Sequence, residues 1–463
     1  MTTTDIRRAP LPLTRAIAEF ASRPRDPDSV PDGAAVATTI LDTVGVAIAG
    51  RDSDSARIVA EWVASTSSPG PVAVWGSSTG ASAADAALVN GTAGHALDWD
   101  DASPVFPMHP GTVLVPALLA QAASTKVSGP ELAHAYNVGS AVFRAVAEAL
   151  PVNASMRRGW HTTATVGRLA TVAALASLTG ATARTTAHAL GAAASMASGS
   201  ISNFGTMTKP LHAGLAARDG LIALGLAARG LTANTNQLED PEGFFAMFGD
   251  PTSETLAALP ARLEHWERHW QEDWLIKRHP CCYGTHHVAD AALQVRGSFA
   301  VDEVERIEAL IYQPDVRLMT IGRPTTGLEA KFSVEYVIAA ALVRGELPLE
   351  AFETEALADP VVDALLDKIS YAGAPDEPSR FAELVVRLRN GRQIDVRVDI
   401  TRGDARLPLT AEEARAKFVS ACASGGWPSS YAQAAADVIL AVPGAEALDE
   451  LEAVLAGPVR DGA

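Results

Sequence analysis

The sequence predicts a mainly α protein in which a large all-helical domain carries a smaller α+β domain. Three observations support this fold class. The chain has 463 residues, more than one compact core usually holds, so two domains are expected. From about Leu13 to Leu259, Ala, Leu and Val recur at the three- and four-residue spacing of helices. Further on, alternating apolar and polar residues flank Asn390-Gly391, a pair typical of tight β-hairpins.

The first half of the chain is expected to form a tightly packed helical body. Gly, Pro, Ser and Thr interrupt the apolar pattern and mark the ends of its segments. Each of the following segments predicts one helix: 35–49, 81–97, 111–125, 129–149, 163–179, 183–200 and 211–229. Their many small residues let neighbouring helices approach closely.

The smaller domain is expected between residues 268 and 405. Around 266–280 the composition becomes aromatic and charged, which is typical of a crossover between domains. The segments after it predict helices at 286–297 and 329–344 and strands at 306–312, 384–388 and 394–400. Residues 411–458 return to a helical pattern. The helical domain is therefore predicted to comprise 1–267 and 406–463.

The composition indicates a folded, acidic protein without a nucleic-acid partner. Hydrophobic residues make up 48% of the chain and charged residues 20%, which allows a large buried core. The formal net charge is -17, and no dense stripe of Lys and Arg is present to contact phosphates. A small anion can still bind where a few Lys, Arg and His side chains converge.

The cysteine content and the apolar segments favour a cytoplasmic protein. Cys281, Cys282 and Cys422 do not make a disulfide framework, and a reducing compartment suits them. Residues 1–12 contain no apolar region of the kind that a signal peptide needs. No apolar segment reaches the ~20 uninterrupted residues of a membrane span, so we expect no membrane partner.

Four polar segments occur where a helical core would not accept them, and the first contains His95 and Asp98. These two residues are three apart and lie on one helix face, and Asp100 and Asp101 follow in a loop that leads to His109. Clustered carboxylates raise one another's pKa, which keeps an acid or base usable near neutral pH. The alternative is a helix end with solvated aspartates, although acidic groups at that end oppose the helix dipole.

The second segment places His161 between Gly159-Trp160 and an apolar helix. At a helix N-terminus, the positive end of the dipole favours a neutral imidazole and nearby anions. A neutral histidine there can act as a base or hold a substrate carboxylate. The alternative is that Thr162 or Thr163 caps the helix and that His161 has no role of its own.

The third segment, residues 203–212, is a Gly/Thr loop that opens a helix. It holds the hydroxyls of Thr206 and Thr208 together with Lys209 and His212. Cations and the backbone N–H groups of a helix start both attract anions, so this combination favours a carboxylate site. A lone lysine in a loop is usually solvated, and the prediction therefore depends on the whole combination.

The fourth segment begins at Lys277 and contains Cys281, Cys282 and Tyr283, followed by two histidines. The adjacent cysteines lack the C-x₂₋₄-C spacing of structural zinc sites, so no metal is predicted. A cysteine nucleophile is disfavoured because buried cysteine commonly acts as a small apolar residue. The chain has no nucleotide-binding glycine motif, P-loop or G-x-S-x-G elbow, and we therefore predict no cofactor.

Taken in chain order, the four segments resemble the MmgE/PrpD family. The similarity extends over nearly the whole chain, and the ordered set is far more specific than any single motif. It is carried by Asn90-Gly91-Thr92, His95-Ala96-Leu97-Asp98, Asp100-Asp101, His109-Pro110, Gly159-Trp160-His161-Thr162, Pro280-Cys281-Cys282 and residues 205–214 and 327–333. The resemblance implies a helical domain with a smaller α+β lid, and a homodimer.

The resemblance also implies which residues form the active site. By similarity to the decarboxylase-type members, the catalytic candidates are Asp98, His109, His161, Lys209 and Lys277. The candidates for substrate binding are Thr206, Thr208, His212 and Tyr283. The implied substrate is a small polycarboxylate.

Two departures from the decarboxylase pattern bear on the reaction. Ala102 stands where a threonine often follows the paired aspartates, and residues 318–322 lack a tyrosine that these decarboxylases carry in the lid. The loop 101–109 and the run 203–218 are more similar to the iminodisuccinate epimerase type.

These observations predict a cofactor-independent enzyme that acts beside a carboxylate of a small di- or tricarboxylic acid. Lys209 and Lys277 would stabilise an enolate-like state, and His161 or His109, tuned by Asp98, would move the proton. A hydro-lyase or decarboxylase is the first expectation. Two alternatives stay open: an epimerase that abstracts the α-proton of an amino-dicarboxylate, and a carboxylate-binding protein without turnover.

Overall fold

A computed structural model describes residues 12–25, 33–150 and 152–458, and it confirms the predicted fold class. The helices of the large domain are α1 (Leu13–Ala21), α2 (Gly33–Gly50), α3 (Asp54–Thr66), α4 (Ala83–Ala96), α5 (Gly111–Ala122), α6 (Gly129–Ala149), α7 (Val152–Arg157), α8 (Thr162–Thr179), α9 (Ala183–Met196), α10 (Thr208–Ala228), α11 (Phe244–Phe248), α12 (Ser253–Ala257) and α13 (Leu259–His269). A two-stranded hairpin of β1 (Val72–Ala73) and β2 (Gly80–Ala81) lies between α3 and α4.

The seven helices predicted in this part of the chain are confirmed, and α6 has the predicted bounds. The other ends differ by no more than four residues. α9 stops at Met196 because the following residues leave the helix, with Gly199 at a φ of 130° and Ser200 bridged to Trp160. α10 begins at Thr208, three residues earlier than predicted, so the polar 203–212 segment lies partly inside the helix.

The smaller domain contains α14 (His286–Val295), β3 (Val304–Tyr312), α15 (Gly327–Ala330), α16 (Val334–Arg344), α17 (Pro360–Leu366), β4 (Ile369–Ala374), β5 (Ala382–Leu388) and β6 (Gln393–Val398). The prediction of one helix over 329–344 is wrong, because Ser333 interrupts it and caps α16 by accepting a hydrogen bond from the Tyr336 N–H. Strand β4 was not predicted, because only Ile369 and Tyr371 favour a strand and the other four residues are Ser, Gly and two Ala.

The sheet of this domain has the strand order β4-β3-β5-β6. β3 pairs in parallel with β4 and antiparallel with β5. The hairpin predicted at Asn390-Gly391 is confirmed: β5 and β6 pair antiparallel from Arg387 opposite Gln393. Gly391 has a φ of 83°, which a residue with a side chain rarely adopts. α14 and α16 pack together, and α14 also packs on β5 and β6.

Both ends of the chain build the core of the helical domain. One apolar core includes residues from Leu13 to Trp270 and from Phe418 to Leu455, and a second core spans Cys281 to Val398. The last helices are α18 (Ala411–Ser424), α19 (Ser429–Ala441) and α20 (Asp449–Leu455), where one continuous helical stretch was predicted. Glycine and proline between them account for the breaks, and α18 packs on α2.

Glycine lets α4 and α10 approach closely, and this contact assembles the functional site. A β-carbon added to Gly91 would lie 2.9 Å from the Cα of Gly214, and one added to Gly214 would lie 2.2 Å from the Leu88 carbonyl oxygen. A larger side chain at either position would push the two helices apart. The close packing brings the end of α4, which carries His95, beside the start of α10, which carries Lys209.

Two helices, α2 and α10, are long and apolar enough to cross a membrane by length and composition alone. The sequence had predicted no membrane span in either segment. In both helices most of the apolar window is buried inside the protein, 72% in α2 and 56% in α10. Core helices of a folded domain pass the same test, so this finding is weak evidence for a span.

Candidate active site

The centre of the site is Asp98, which follows the C-terminal end of α4. Among the residues that the structure describes, Asp98 is the only non-glycine residue with a positive φ, at 52°. Such left-handed backbone is unfavourable for residues other than glycine, although aspartate tolerates it better than most, and it persists where the surroundings fix it. Asp98 is also buried, so both the backbone and the carboxylate are held by the protein.

Two buried ammonium groups hold the Asp98 carboxylate. Lys277 contacts one carboxylate oxygen and donates to the Asp98 carbonyl oxygen at 2.9 Å, and the Lys209 ammonium lies 2.9 Å from the second carboxylate oxygen. Burial favours the neutral acid, but the charges of Lys209 and Lys277 outweigh it and hold the pKa of Asp98 well below its usual range. The structure therefore brings three of the predicted catalytic residues into one ionised group.

A second carboxylate, Asp100, contacts two histidines. Its Oδ2 lies 2.8 Å from the Nδ1 of His95 and 3.2 Å from the Nδ1 of His109. The Nδ1 of His109 also lies 2.9 Å from the Asp101 carbonyl oxygen. Burial lowers the pKa of His95 to about 4 and also lowers the pKa of His109, so both imidazoles are neutral near pH 7.

This arrangement corrects one predicted role. The carboxylate beside the histidine candidates was expected to be Asp98. In the structure, Asp100 contacts His109, and Asp98 contacts Lys209 and Lys277 instead. Neighbouring carboxylates were expected to raise one another's pKa, and this holds only for Asp101. Its pKa rises to about 8, first because it is buried and then because Asp100 and Asp42 lie near.

His161 forms the third part of the site, at the N-terminus of α8 as predicted. It is the N-cap residue, and its side chain makes no capping hydrogen bond to the helix. Its Nδ1 lies 3.1 Å from the Nδ1 of His212, and its ring is stacked on His95 at 6.1 Å between centroids. Burial, together with the nearby Lys209 ammonium and the cost of placing a second positive charge beside His212, lowers the pKa of His161 well below its usual range. His161 is therefore a neutral imidazole that can accept a proton.

The lid contributes a third buried lysine and an aromatic wall. Lys331 donates to the Leu97 and Pro280 carbonyl oxygens at 2.7 Å each, and burial lowers its pKa to about 8. Phe332 of the lid and Phe204 of the helical domain flank the Lys209 ammonium, each ring centre 5.2 Å away.

A cleft between the two domains leads towards this aromatic pair. Its volume is about 360 Å³, and its walls include Gly159, Phe204, Leu318, Ile321 and Phe332. Phe204 also packs edge-on against the His161 ring at 5.0 Å, so one wall of the cleft is in contact with the buried polar groups. Concave sites with a few polar groups nearby are typical of small-molecule binding.

Three of the predicted substrate-binding residues make their polar contacts elsewhere. Thr206 is exposed and donates to the Asn203 carbonyl oxygen at 2.9 Å, and the backbone N–H of Thr208 donates to the Thr206 hydroxyl. The Tyr283 hydroxyl donates to the Asp404 carboxylate at 3.1 Å. The structure therefore groups Asp98, His109, His161, Lys209, Lys277 and His212, whereas the polar contacts of Thr206, Thr208 and Tyr283 lie outside this group.

Sequence reasoning did not select His95, Asp100 or Lys331. His95 and Asp100 were part of a recognised motif, but their spacing does not indicate that the loop after α4 turns Asp100 back onto His95. Lys331 belongs to the 327–333 motif. Nothing in the local sequence indicated that this lysine is buried, as it is in the structure.

His95, Asp98, Asp100 and His109 could each offer a ligand atom to a metal, and those atoms all lie within 4.8 Å of one another. The sequence spacing did not predict this cluster. The donor set of two imidazoles and two carboxylates suits several divalent metals. Both oxygens of Asp98, however, already contact lysine ammonium groups, whose charge repels a second cation at that position.

The fold and this centre together define a class of protein: a helical domain with an α+β lid and a buried lysine–histidine–carboxylate site. The MmgE/PrpD N-terminal domain model matches residues 15–256, and the MmgE/PrpD C-terminal domain model matches residues 279–441. The chain belongs to the MmgE/PrpD family, as the motifs had predicted.

Named relatives narrow the kind of enzyme. The chain is 32% identical over 397 residues to "Cis-aconitate decarboxylase" of Mus musculus, covering 82% of this chain and 80% of the relative. The Homo sapiens protein of that name is 32% identical over 396 residues, covering 82% and 81%. "Cis-aconitate decarboxylase-like protein oryM" of Aspergillus oryzae is 28% identical over 397 residues, covering 80% and 82%. The chain is therefore an enzyme of a dehydratase- or decarboxylase-type family.

Proposed function

We propose that this protein is a cofactor-independent lyase that removes carbon dioxide from a small unsaturated polycarboxylate of the cis-aconitate type. The proposal rests mainly on two buried ammonium groups, those of Lys209 and Lys277. Both contact the carboxylate of Asp98, and neutral histidines lie nearby. The names of the relatives at 32% identity support decarboxylation over other reactions of the family.

The lysines would bind the anionic substrate and stabilise charge as it develops. Lys209 and Lys277 together carry one more positive charge than the single carboxylate of Asp98 between them. Charge-assisted hydrogen bonds are strengthened where water is excluded, and both lysines are buried. A substrate carboxylate placed beside them would receive the electron density that decarboxylation releases.

The proposed decarboxylation breaks one carbon–carbon bond and forms one carbon–hydrogen bond. The bond between a substrate carbon and its carboxylate breaks, and the carbon dioxide leaves without the bonding electrons. Those electrons pass through the neighbouring double bond and give an enolate-like carbanion beside a second carboxylate that the lysines hold. A proton from an imidazolium then adds to the carbon next to that carboxylate, and the double bond moves to the carbon that lost carbon dioxide.

His161 is the first candidate for this proton transfer, and His109 is the second. Nearby positive charge and burial keep His161 neutral in the free protein. Carboxylates of a bound substrate would reverse the local charge and raise the pKa of the imidazole, so binding would bring the required proton. The His212 ring, 3.1 Å away through the two Nδ1 atoms, offers a partner that can share it.

A second reaction is favoured by the same depressed pKa. A neutral imidazole is better prepared to accept a proton than to donate one, so His161 could abstract the α-proton of an amino-dicarboxylate and epimerise it. The chain also lacks a tyrosine at residues 318–322, where the decarboxylase-type pattern has one. Elimination of water would begin with the same proton abstraction, and the substrate would need a hydroxyl on the next carbon that leaves as water with a proton from an acid.

One assay separates these reactions. The purified protein is incubated in deuterated water with a panel of di- and tricarboxylates that includes cis-aconitate, and carbon dioxide release, loss of water and solvent exchange are followed together. Decarboxylation releases carbon dioxide and leaves one deuterium in the product. Exchange at an α-carbon without carbon loss would replace the proposal with the epimerase, and no turnover or exchange on any compound would leave a binding protein.

A further inference from the structure

Lys331 is a buried cation with an unusual set of partners. It lies at the end of α15 in the lid, and its ammonium donates to the carbonyl oxygens of Leu97 and Pro280, at 2.7 Å each. The Phe352 ring covers it at 4.8 Å. In the described part of the chain, no carboxylate oxygen lies within 4.0 Å of this ammonium. Asp98 stabilises this charge from a longer distance, but a buried lysine without a carboxylate in direct contact is still costly to fold.

The first contact fixes the peptide that precedes Asp98. The Leu97 carbonyl belongs to the peptide plane that sets the φ of Asp98, which has the left-handed value of 52°. Lys277 holds the next carbonyl, that of Asp98 itself, at 2.9 Å. Two ammonium groups therefore bind the backbone carbonyl oxygens before and after the rotatable bonds of Asp98. This is the kind of external restraint that such a conformation requires.

The second contact fixes the segment that carries Lys277. The Lys331 ammonium binds the Pro280 carbonyl oxygen, and the Lys331 carbonyl oxygen accepts the N–H of Cys282 at 3.0 Å. Lys331 is thus fastened through both its side chain and its backbone to the stretch that follows Lys277. Lys331 therefore contacts both the backbone next to Asp98 and the segment that follows Lys277.

We propose that Lys331 is a positioning residue, which holds Asp98 and Lys277 in their working geometry when the lid is seated on the helical domain. It acts through these residues, and no step requires it to touch the substrate. The inference rests on the proposed function only in using lyase activity as one of its readouts.

The proposal makes stability and activity respond in opposite ways. If Lys331 only supported the fold, an apolar residue of similar size would be expected to lower stability and activity together. If it positions the site, Lys331→Met removes a buried charge that makes no direct ion pair and leaves the melting temperature unchanged or higher. Activity should nevertheless fall, because small displacements of catalytic groups cost up to ~10²-fold in rate.

The chain offers a matched control in Lys368. Its ammonium also donates to a backbone carbonyl in the lid, that of Val304 at 2.8 Å, but it is only partly buried and belongs to the strand region. Lys368→Met removes the same chemical contact from the same domain. It should leave kcat and KM unchanged.

The experiment compares Lys331→Met, Lys331→Arg and Lys368→Met in the full chain. We expect Lys331→Met to lower kcat by ~10- to 100-fold with a smaller change in KM and no loss of melting temperature. Lys331→Arg should recover part of kcat, since a guanidinium can donate to both carbonyls. Unchanged kcat in Lys331→Met, or a loss that follows a lower melting temperature, would overturn the proposal.

Hydrogen exchange gives a readout that does not depend on turnover. Amide exchange over residues 95–101 should be faster in Lys331→Met than in the wild type and unchanged in Lys368→Met, because the Leu97–Asp98 peptide loses its restraint. If the wild type proved inactive on every polycarboxylate, the proposed function would fail while this measurement still decided the role of Lys331. Equal exchange in all three proteins would reject it.

Discussion

His161 and His212 face each other through their Nδ1 atoms, 3.1 Å apart, in the buried half of the site. Two neutral imidazoles can share such a contact only if one carries its proton on Nδ1 and the other on Nε2. The contact therefore fixes the tautomers of the two rings relative to each other. If the ring that carries its proton on Nδ1 gains a second proton at Nε2, it still donates to the Nδ1 of the other ring, so the pair can share one positive charge.

Replacing His161 tests the proton-transfer role. His161→Ala should reduce turnover by ~10²- to 10⁴-fold while the fold stays intact. His161→Gln should be nearly as slow, because an amide can hydrogen-bond but cannot carry the proton. His188 provides the control, since its Nδ1 contacts the backbone of Ala233 outside the site and His188→Gln should keep full activity. Steady-state kinetics of the three variants check this, and substantial activity in His161→Gln would move the role to His109.

Removing the Lys209 ammonium should weaken both binding and catalysis. Lys209→Ala deletes a charge-assisted hydrogen bond worth ~1.5–3 kcal/mol, and kcat/KM should fall accordingly. Lys209→Met should lose a similar amount although it keeps the packing between Phe204 and Phe332. Kinetics of both variants separate charge from packing. Full activity in Lys209→Met would place the ammonium outside the reaction.

Substrate binding should take up protons from solution near pH 7. Burial lowers the pKa of His95 and of His212 to about 4 and also lowers that of His161, so these rings are neutral before binding. The carboxylates of a bound polyanion raise those pKa values, and the protonated fraction increases. Calorimetric titration with a non-reacting tricarboxylate in buffers of different ionisation enthalpy measures the uptake. Proton release on binding would contradict this view of the histidines.

Activity should survive exhaustive treatment with a metal chelator. The ligand atoms of His95, Asp98, Asp100 and His109 are close enough to hold a metal, but ammonium groups contact both oxygens of Asp98. Dialysis against a chelator followed by metal analysis and assay tests this directly. Activity that is lost and then restored by one divalent metal would show that the cluster is a metal site.

Asp101 should make the protein less stable as the pH rises from about 4 to about 8. Its pKa in the folded protein is raised to about 8, mainly by burial, whereas an unfolded aspartate has an ordinary value near ~3.9. Between these values the folded state binds the extra proton, so the free energy of unfolding falls with increasing pH. Asp101→Asn keeps an acceptor for the Gly111 N–H and should remove this contribution.

The difference in unfolding free energy between Asp101→Asn and the wild type isolates this effect. Denaturant unfolding at several pH values should show the variant gaining stability relative to the wild type as the pH rises. The histidines with lowered pKa act in the opposite direction at acidic pH, but they do so equally in both proteins. A difference that does not change with pH would mean that Asp101 is ionised at neutral pH.

Local signals in the sequence were sufficient for seven helices of the large domain, for the hairpin and for the position of His161. The apolar period located helices such as α6, and the pair Asn390-Gly391 located the hairpin, because both depend on neighbouring residues. His161 was placed at a helix N-terminus for the same reason. Each of these features is decided within a few residues of the chain.

Long-range pairing could not be predicted in the same way. Asp98 meets Lys277 across 179 positions, and Lys331 reaches Leu97 across 234. Such contacts depend on how the lid sits on the helical domain, which no local pattern encodes. The lysines contact Asp98 and the histidines contact Asp100, contrary to the prediction.

The most direct test of the proposed lyase is the stoichiometry of one reaction with cis-aconitate in deuterated water. Carbon dioxide release and deuterium in the product are measured together in the wild type and in His161→Gln. The account predicts one carbon dioxide and one carbon-bound deuterium per turnover in the wild type, with both rates reduced together in the variant. Deuterium exchange into recovered substrate without release of carbon dioxide would contradict it.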